Sequence, residues 1–288
     1  MSWLNAVIQG TLLGGLYALF AAGLSIIFGV MRQVNIAHGD LIVLSAYVAY
    51  LVIQASGIDP ILSILLVAPI MGLLGYVLQR VVLNPTLGSD ILPPLLVSFG
   101  ISVIIQNGLL AEFSADSRRL SAPAIETASF SLLPGLSIGV LPLLTFLISI
   151  ACLVGLQLLF YRTAFGRAFR ATSDSPEIAR LMGLDNAHVY GMAMAISLAV
   201  VAVAGVLLAV KTNFDPAIGG SRLIFGFEAV IIGGLGSLWG TFAGGIILAV
   251  AQSLGAQFDP KWQLLAGHIV FLAVLAVRPE GLFPKIDS

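Results

Sequence analysis

Seven stretches of this chain are apolar for about the length of a membrane crossing: residues 4–29, 36–54, 60–82, 91–111, 136–160, 187–210 and 262–278. A helix needs about 20 mainly apolar residues to span the hydrocarbon core, so each is read as one span. A further stretch, 224–257, is long enough for two passes, but Gly233, Gly234, Gly236 and Gly240 interrupt it. It is read as a broken hairpin whose first arm, 224–235, is too short to cross. Charge supports the same class: only 9% of the 288 residues are Asp, Glu, Lys or Arg, against about 25% in a soluble protein. Such a chain cannot clothe a water-facing surface of that size. The expected fold is all-α, a polytopic membrane helical bundle of about seven full spans plus the glycine-broken hairpin at 224–257, forming a single transmembrane domain over 1–288. The first run has no basic leader and continues into more membrane, unlike a cleaved signal peptide.

The same composition excludes a nucleic-acid binder, which would cluster basic residues, and a disordered chain, which would be poor in large aliphatics. Cys152 is the sole cysteine, so no internal disulfide is possible. Its position inside an apolar run makes it a small hydrophobe of a helix. The three histidines, His38, His188 and His268, fall in separate segments, and no metal site is expected. A phosphate-gripping Gly-x-x-x-x-Gly-Lys sequence is also lacking, so neither a motor nor a catalytic residue is assigned.

Direction follows from Lys and Arg in the short loops. Placing 161–186 in the cytoplasm puts Arg162, Arg167, Arg170, Arg180, Arg32, Arg80, Arg278 and Lys285 inside, against Arg118, Arg119, Lys211, Arg222 and Lys261 outside. The N-terminus is then outside, the C-terminus inside, and 112–135 is the only sizeable outer segment.

The cytoplasmic loop carries the sharpest local pattern. Ser175 can cap a helix, Pro176 suits its first position, Glu177 favours its positive end and Gly183 can take the left-handed stop. A helix over 176–182 would put Ile178, Leu181 and Met182 on one face. So short a stub cannot bury that face on itself. Lipid headgroups or a groove in another protein could cover it.

Glu177, Ala179 and Gly183 are similar to the Glu-Ala-Ala-x-x-x-Gly pattern of bacterial ATP-binding-cassette importer permeases, with Ile178 in place of the middle Ala and no Ile-x-Leu-Pro after Gly183. The resemblance extends along the chain. Gly23-Leu-Ser-Ile-Ile-Phe-Gly-Val-Met-Arg-Gln-Val-Asn-Ile-Ala-His-Gly-Asp40, Ser98-Phe-Gly-Ile-Ser-Val-Ile-Ile-Gln-Asn107, Thr163-Ala-Phe-Gly-Arg-Ala-Phe-Arg170, Gly233-Gly-Leu-Gly-Ser-Leu-Trp-Gly240 and Arg278-Pro-Glu-Gly-Leu-Phe283 resemble, in order, the blocks of the LivH-type permeases of branched-chain amino-acid importers.

That resemblance implies an inner-membrane permease subunit that pairs with a second, LivM-like permease. It also implies two cytoplasmic ATPase subunits, which would hold ATP and Mg, and a periplasmic substrate-binding protein. The chain would need no cofactor of its own. The loop residues it assigns to ATPase coupling are Arg170, Asp174, Glu177, Ile178, Ala179, Arg180, Leu181, Met182 and Gly183. Family members carry Leu, Ile and Val, other amino acids, urea or short amides, and the blocks do not separate these. The rival class, an ion-coupled transporter acting alone, would need proton relays or ion ligands inside the spans, where acidic residues are few.

Polar residues inside the spans are the pathway or gate candidates. Asn35, His38, Gly39 and Asp40 open the second span, expected at the cytoplasmic boundary, with either a helix-entry role or a role as a gate or in ATPase-side coupling. Gln106 and Asn107, Glu228, and Gln252 are the other polar candidates. Gly233, Gly234 and Gly236 either pack helices closely or break the backbone along a watery route. The scarcity of deep charges points to a neutral or zwitterionic cargo.

Overall fold

The computed structural model describes residues 2–88, 90, 92–133 and 136–283, so Lys285 lies outside the described residues. The chain is helical almost throughout: α1 Ser2–Met31, α2 His38–Ser56, α3 Pro60–Val77, α4 Leu92–Phe113, α5 Pro123–Glu126, α6 Val140–Arg162, α7 Ala164–Asp174, α8 Pro176–Leu181, α9 Asn186–Lys211, α10 Gly219–Gly233, α11 Leu238–Phe258 and α12 Trp262–Val277. Seven described helices are long and apolar enough to cross a membrane, and the protein is an all-α polytopic membrane protein. Their membership differs from the expectation at one place. The second arm of the broken hairpin, α11, has 21 residues and qualifies, whereas α12 has 16, about 24 Å of helix.

The centre of the bundle is α1 and α9, buried on most sides, while α3, α4 and α6 expose long apolar faces. Hydrocarbon gives helices no hydrophobic reason to associate, so close approach of small residues does the work. An added Cβ at Gly14 of α1 would meet the Ile246 Cα of α11 at 2.5 Å, and one at Gly245 would meet the Ala18 amide nitrogen at 2.8 Å. Likewise Gly233 and Gly240 touch backbone to backbone. These glycines therefore pack helices, and the break itself is only Gly234–Ser237, with positive φ at Gly234 and Gly236.

Residues Arg278–Phe283 fold over that break. The amides of Leu282 and Phe283 donate to the carbonyls of Ile232 (2.9 Å) and Gly233 (3.0 Å) at the end of α10. The last carbonyls of a helix have no partner within it, so this segment acts as a cap supplied from elsewhere in the chain.

Three boundaries depart from the sequence reading. Residues 136–139, assigned to a span, form a strand, Leu136–Gly139, antiparallel to Ser129–Leu133, and the helix starts at Val140. Alternating polar and apolar residues, Ser129-Phe130-Ser131 and Ser137-Ile138, carry the strand period. The loop 161–186 holds a second helix, α7, capped by Thr163, whose hydroxyl accepts from the Gly166 amide at 3.1 Å. Its Phe169 packs on Phe160 of α6 at 4.4 Å between ring centroids.

The third departure is depth. His38 opens α2, yet its Nε2 lies 2.8 Å from the Phe20 carbonyl oxygen, well inside α1. After α1 ends, Arg32–Ala37 turn back along the bundle with Gln33, Asn35 and Ala37 buried, so α2 begins against the middle of α1 instead of at its end. Irregular backbone at such a position is tolerable because it is enclosed by protein. Arg222, counted among outer-loop residues, sits in the first turn of α10, whose first residue, Gly219, is buried against Gly39 and Asp40 of α2.

Candidate functional site

Two regions collect the candidate residues. The first is the α7–α8 corner. The Ser175 side chain accepts from the Ile178 amide at 3.4 Å. At the other end Gly183 has φ +84°, its amide donates to the Arg180 carbonyl (3.0 Å), and the Leu184 amide donates to the Ala179 carbonyl (3.0 Å). That pair of bonds is the Schellman stop, so both ends of the stub form as the sequence specifies. Ala179 is its buried anchor, while Ile178, Leu181 and Met182 are 61%, 86% and 79% exposed. Arg167, Asp174, Ile178 and Met182 are among the residues lining a concavity of about 580 Å³ between α7 and α8. Arg170 turns away from the stub. Its guanidinium donates to the Phe160 carbonyl and lies over the Tyr161 ring, which ties α7 to α6.

The start of α9 braces this corner. Asp185 caps α9, accepting from the His188 amide at 3.2 Å, and pairs with Arg80 at 3.2 Å. The capped amide first, and then Arg80, hold its carboxyl below the usual carboxylate range. Asn186 donates to the Pro176 carbonyl at 2.7 Å, so α8 is fixed to the helix that runs through the bundle centre.

The second region is polar and internal. The Asn35 Oδ1 accepts from the Ala37 amide at 3.0 Å, closing the turn that precedes α2. Asp40 accepts from Ser102 of α4 at 2.5 Å, and Ser98 accepts from the Ile36 amide at 3.2 Å. Gly39 and Gly219 meet backbone to backbone, and Asp40 Oδ1 lies where a Gly219 side chain would stand. The N-termini of α2 and α10 thus converge on one carboxylate, whose negative charge suits both helix ends. From there α10 crosses α1, where Phe225 stacks on Tyr17 at 5.1 Å, and reaches α11 and α12. Glu228 lies 2.5 Å from His268 of α12, and Gln252 accepts from Tyr17 at 2.7 Å.

The structure therefore brings Asn35, His38, Gly39 and Asp40 together, and separately gathers Glu228 and Gln252. It leaves Gln106 and Asn107 apart on α4, where Asn107 donates back to its own helix at Val103. Gly233, Gly234 and Gly236 lie at the α10–α11 turn; Gly236 faces Gly29 near the end of α1. Sequence reasoning missed Ser98 and Ser102, although their four-residue spacing puts them on one face of α4. Nothing local marked Tyr17 and His268, whose partners come from distant helices.

A family profile described as the permease component of branched-chain amino acid transport systems matches residues 6–275. The chain is 29% identical to the high-affinity branched-chain amino acid transport system permease protein BraD of Pseudomonas aeruginosa, over 99% of this chain and 98% of that protein. It is 28% identical to the corresponding permease LivH of Escherichia coli K12 (99% and 97%) and 25% identical to the permease LivM of the same organism (99% and 72%). No solved structure matches. A profile covering nearly the whole chain, joined to relatives that align from end to end, establishes that this multi-pass inner-membrane protein belongs to the permease family of branched-chain amino acid transport systems.

Proposed function

We propose that this chain forms half of the translocation pathway of an ATP-driven importer for branched-chain or similar zwitterionic amino acids, and that α8 seats in a groove of a cytoplasmic ATPase subunit. The observation that carries the reading is the rigid, doubly capped stub presenting Ile178, Leu181 and Met182 beyond the bundle. A second, LivM-like permease supplies the other half, in keeping with the similarity to LivM. A periplasmic binding protein delivers the cargo, and ATP with Mg is held by the ATPases. In this reading ATP-driven closure of the ATPases pushes on α7 and α8, and Asn186 and Asp185 pass the displacement to α9.

The test is reconstitution of the permease pair with ATPases and binding protein in proteoliposomes. ATP-dependent uptake of leucine is the expected result; absence of uptake with every branched-chain amino acid overturns the cargo assignment. Sidedness is checked in cells, in a Cys152→Ser background. A membrane-impermeant thiol reagent is expected to modify Ser121→Cys and to spare Ser175→Cys. The reverse pattern would invert the arrangement.

Gly183→Val separates docking from coupling. An added side chain there meets nothing within 4 Å, so its cost is the left-handed backbone alone, about 1–2 kcal/mol for an L-residue. The stop would re-form at another angle with the apolar face intact. The expected outcome is a complex that still assembles and hydrolyses ATP with leucine uptake lowered severalfold, measured side by side in the same vesicles.

A further inference from the structure

The surface of the bundle is of two kinds. Every exposed residue of α3, and of α6 short of its last turn, is apolar, with Leu65, Leu73, Leu147 and Leu158 among the most open. The strip that leads into α10 differs. Residues 212–218 form no helix, and Asn213, Ala217, Gly220 and Ser221 are exposed. Ile224 and Phe227 continue the same open face at i, i+3 and i+4 spacing.

This strip lies at membrane depth. Phe214 packs edge-on against Tyr47 of α2, 5.0 Å between ring centroids, and Gly219 lies against Asp40, in the first turn of that helix. From Asp40 to the end of α2 at Ser56 is about 24 Å of helix. The hydrocarbon core is about 30 Å thick, so the chain descends well into it between Phe214 and Gly219 without helical hydrogen bonding.

Irregular backbone at such depth survives only inside protein or facing a watery cavity, and this stretch is covered on one side alone. The first amides of a helix have no partner within it. Ile218, at the cap position of α10, gives them no side-chain acceptor, and a side chain added at Gly220 would meet nothing within 4 Å. Arg222 brings a guanidinium to the same turn, and next to Phe227 the Glu228 carboxylate pairs with His268, whose side chain is 40% exposed on α12. Lipid would leave the backbone groups bare and would meet an ionisable side chain, both costly in hydrocarbon. A second protein packed dry on the strip would have to match each polar group in turn. Water meets all of them with no such match.

We infer that the strip formed by Asn213, Ala217, Gly220, Ser221, Ile224 and Phe227 is this chain's wall of the water-filled translocation pathway, and that α3 and α6 face lipid. This rests on the pathway reading of the preceding section and adds which surface of the chain the cargo passes.

The test is cysteine labelling of the full complex in proteoliposomes, in the Cys152→Ser background, with a charged methanethiosulfonate as probe and modification read by mass spectrometry of the permease. The reagent attacks only thiolate, which forms where water reaches the sulfur. Ser221→Cys and Phe227→Cys are expected to react roughly tenfold or more faster than Leu73→Cys on α3. Both parent side chains are exposed, so neither substitution disturbs packing. Leucine uptake of each variant is then compared before and after modification. The added group is expected to lower uptake severalfold at Ser221→Cys and Phe227→Cys and to leave it unchanged at Ser121→Cys in the outer segment.

Reaction at both strip positions no faster than at Leu73→Cys would overturn the inference, because the strip would then meet lipid or a dry partner. Full modification of both without loss of uptake would also overturn it, since the water there would belong to a crevice beside the pathway. The labelling rates do not depend on the cargo, so failure of the unmodified wild-type complex to take up leucine would strike the cargo reading and leave the labelling result standing.

Discussion

Leu181→Asp is expected to abolish co-purification of the ATPase subunit while leaving the permease itself folded. The two halves of this expectation come from different features. Leu181 is 86% exposed, so the isolated permease loses no packing. The stub is held by Ser175, Gly183 and Asn186, none of which the substitution touches. In an assembled complex the same position would be central, since Ile178, Leu181 and Met182 supply most of the apolar surface that α8 can bury. Placing an unpaired carboxylate there costs several kcal/mol, enough to dissociate a modest interface. Affinity capture on a tagged permease, followed by quantification of the ATPase, reads the result directly. Arg180→Ala, on another surface of the stub, should retain most of the ATPase. Wild-type assembly and leucine uptake in Leu181→Asp would mean that this face meets lipid, and the coupling reading would fall.

Gly39→Ala should be the most damaging small substitution inside the bundle. A methyl group at Gly39 would overlap the Gly219 carbonyl and crowd Leu223 of α10. Because the obstacle is backbone, no rotamer change can relieve it. Either α2 and α10 separate, exposing the carboxylate of Asp40 from its place between their ends, or Arg32–Ala37 must shift. Overpacking of this kind costs about 1–3 kcal/mol even where side chains can adjust, so a loss at or above the top of that range is expected. Gly155→Ala is the control, since nothing lies within 4 Å of its added methyl, and alanine favours a helix by about 0.5–1 kcal/mol over glycine. Thermal unfolding in detergent should separate the two variants clearly. Equal unfolding temperatures would show that the Gly39–Gly219 contact is not a constraint on the fold.

What the sequence made legible divides along the range of the forces involved. The long apolar helices and both caps of α8 are local: solvation of the backbone by lipid decides the first, and residues within one turn decide the second. Asn35–Asp40 was legible as a helix start, with Asp40 in the first turn, although Asn35 closes the turn before α2 and Ala37 takes the cap position. Its depth was not, because that depends on where the chain runs after Met31 and on the room left by Gly39 and Gly219. Of the glycines that looked like breaks in sequence, Gly234 and Gly236 do form the turn whereas Gly233 and Gly240 are contact points, since hydropathy cannot distinguish a glycine facing a neighbouring backbone from one ending a helix. α7 was hidden by Arg167 and Arg170, which gave its segment the composition of a loop, although Thr163 and the Phe165–Phe169 spacing are helix signals. Glu228 was singled out as an ionisable group, but its partner His268 and the adjoining Tyr17 and Gln252 could only be found once four helices were packed.

The cap on α10 bears on how this protein is made. Ile232 and Gly233 offer carbonyls that are met by Leu282 and Phe283, which follow two further helices in the chain. During synthesis α10 therefore enters the membrane before its partners exist, with backbone groups that each cost several kcal/mol if left bare in hydrocarbon. It cannot be released into lipid as a finished helix. The insertion machinery, or water at the membrane edge, must hold that end until α11 and α12 have threaded and Leu282 and Phe283 close over it, which makes residues two helices further on a condition for completing a helix begun much earlier.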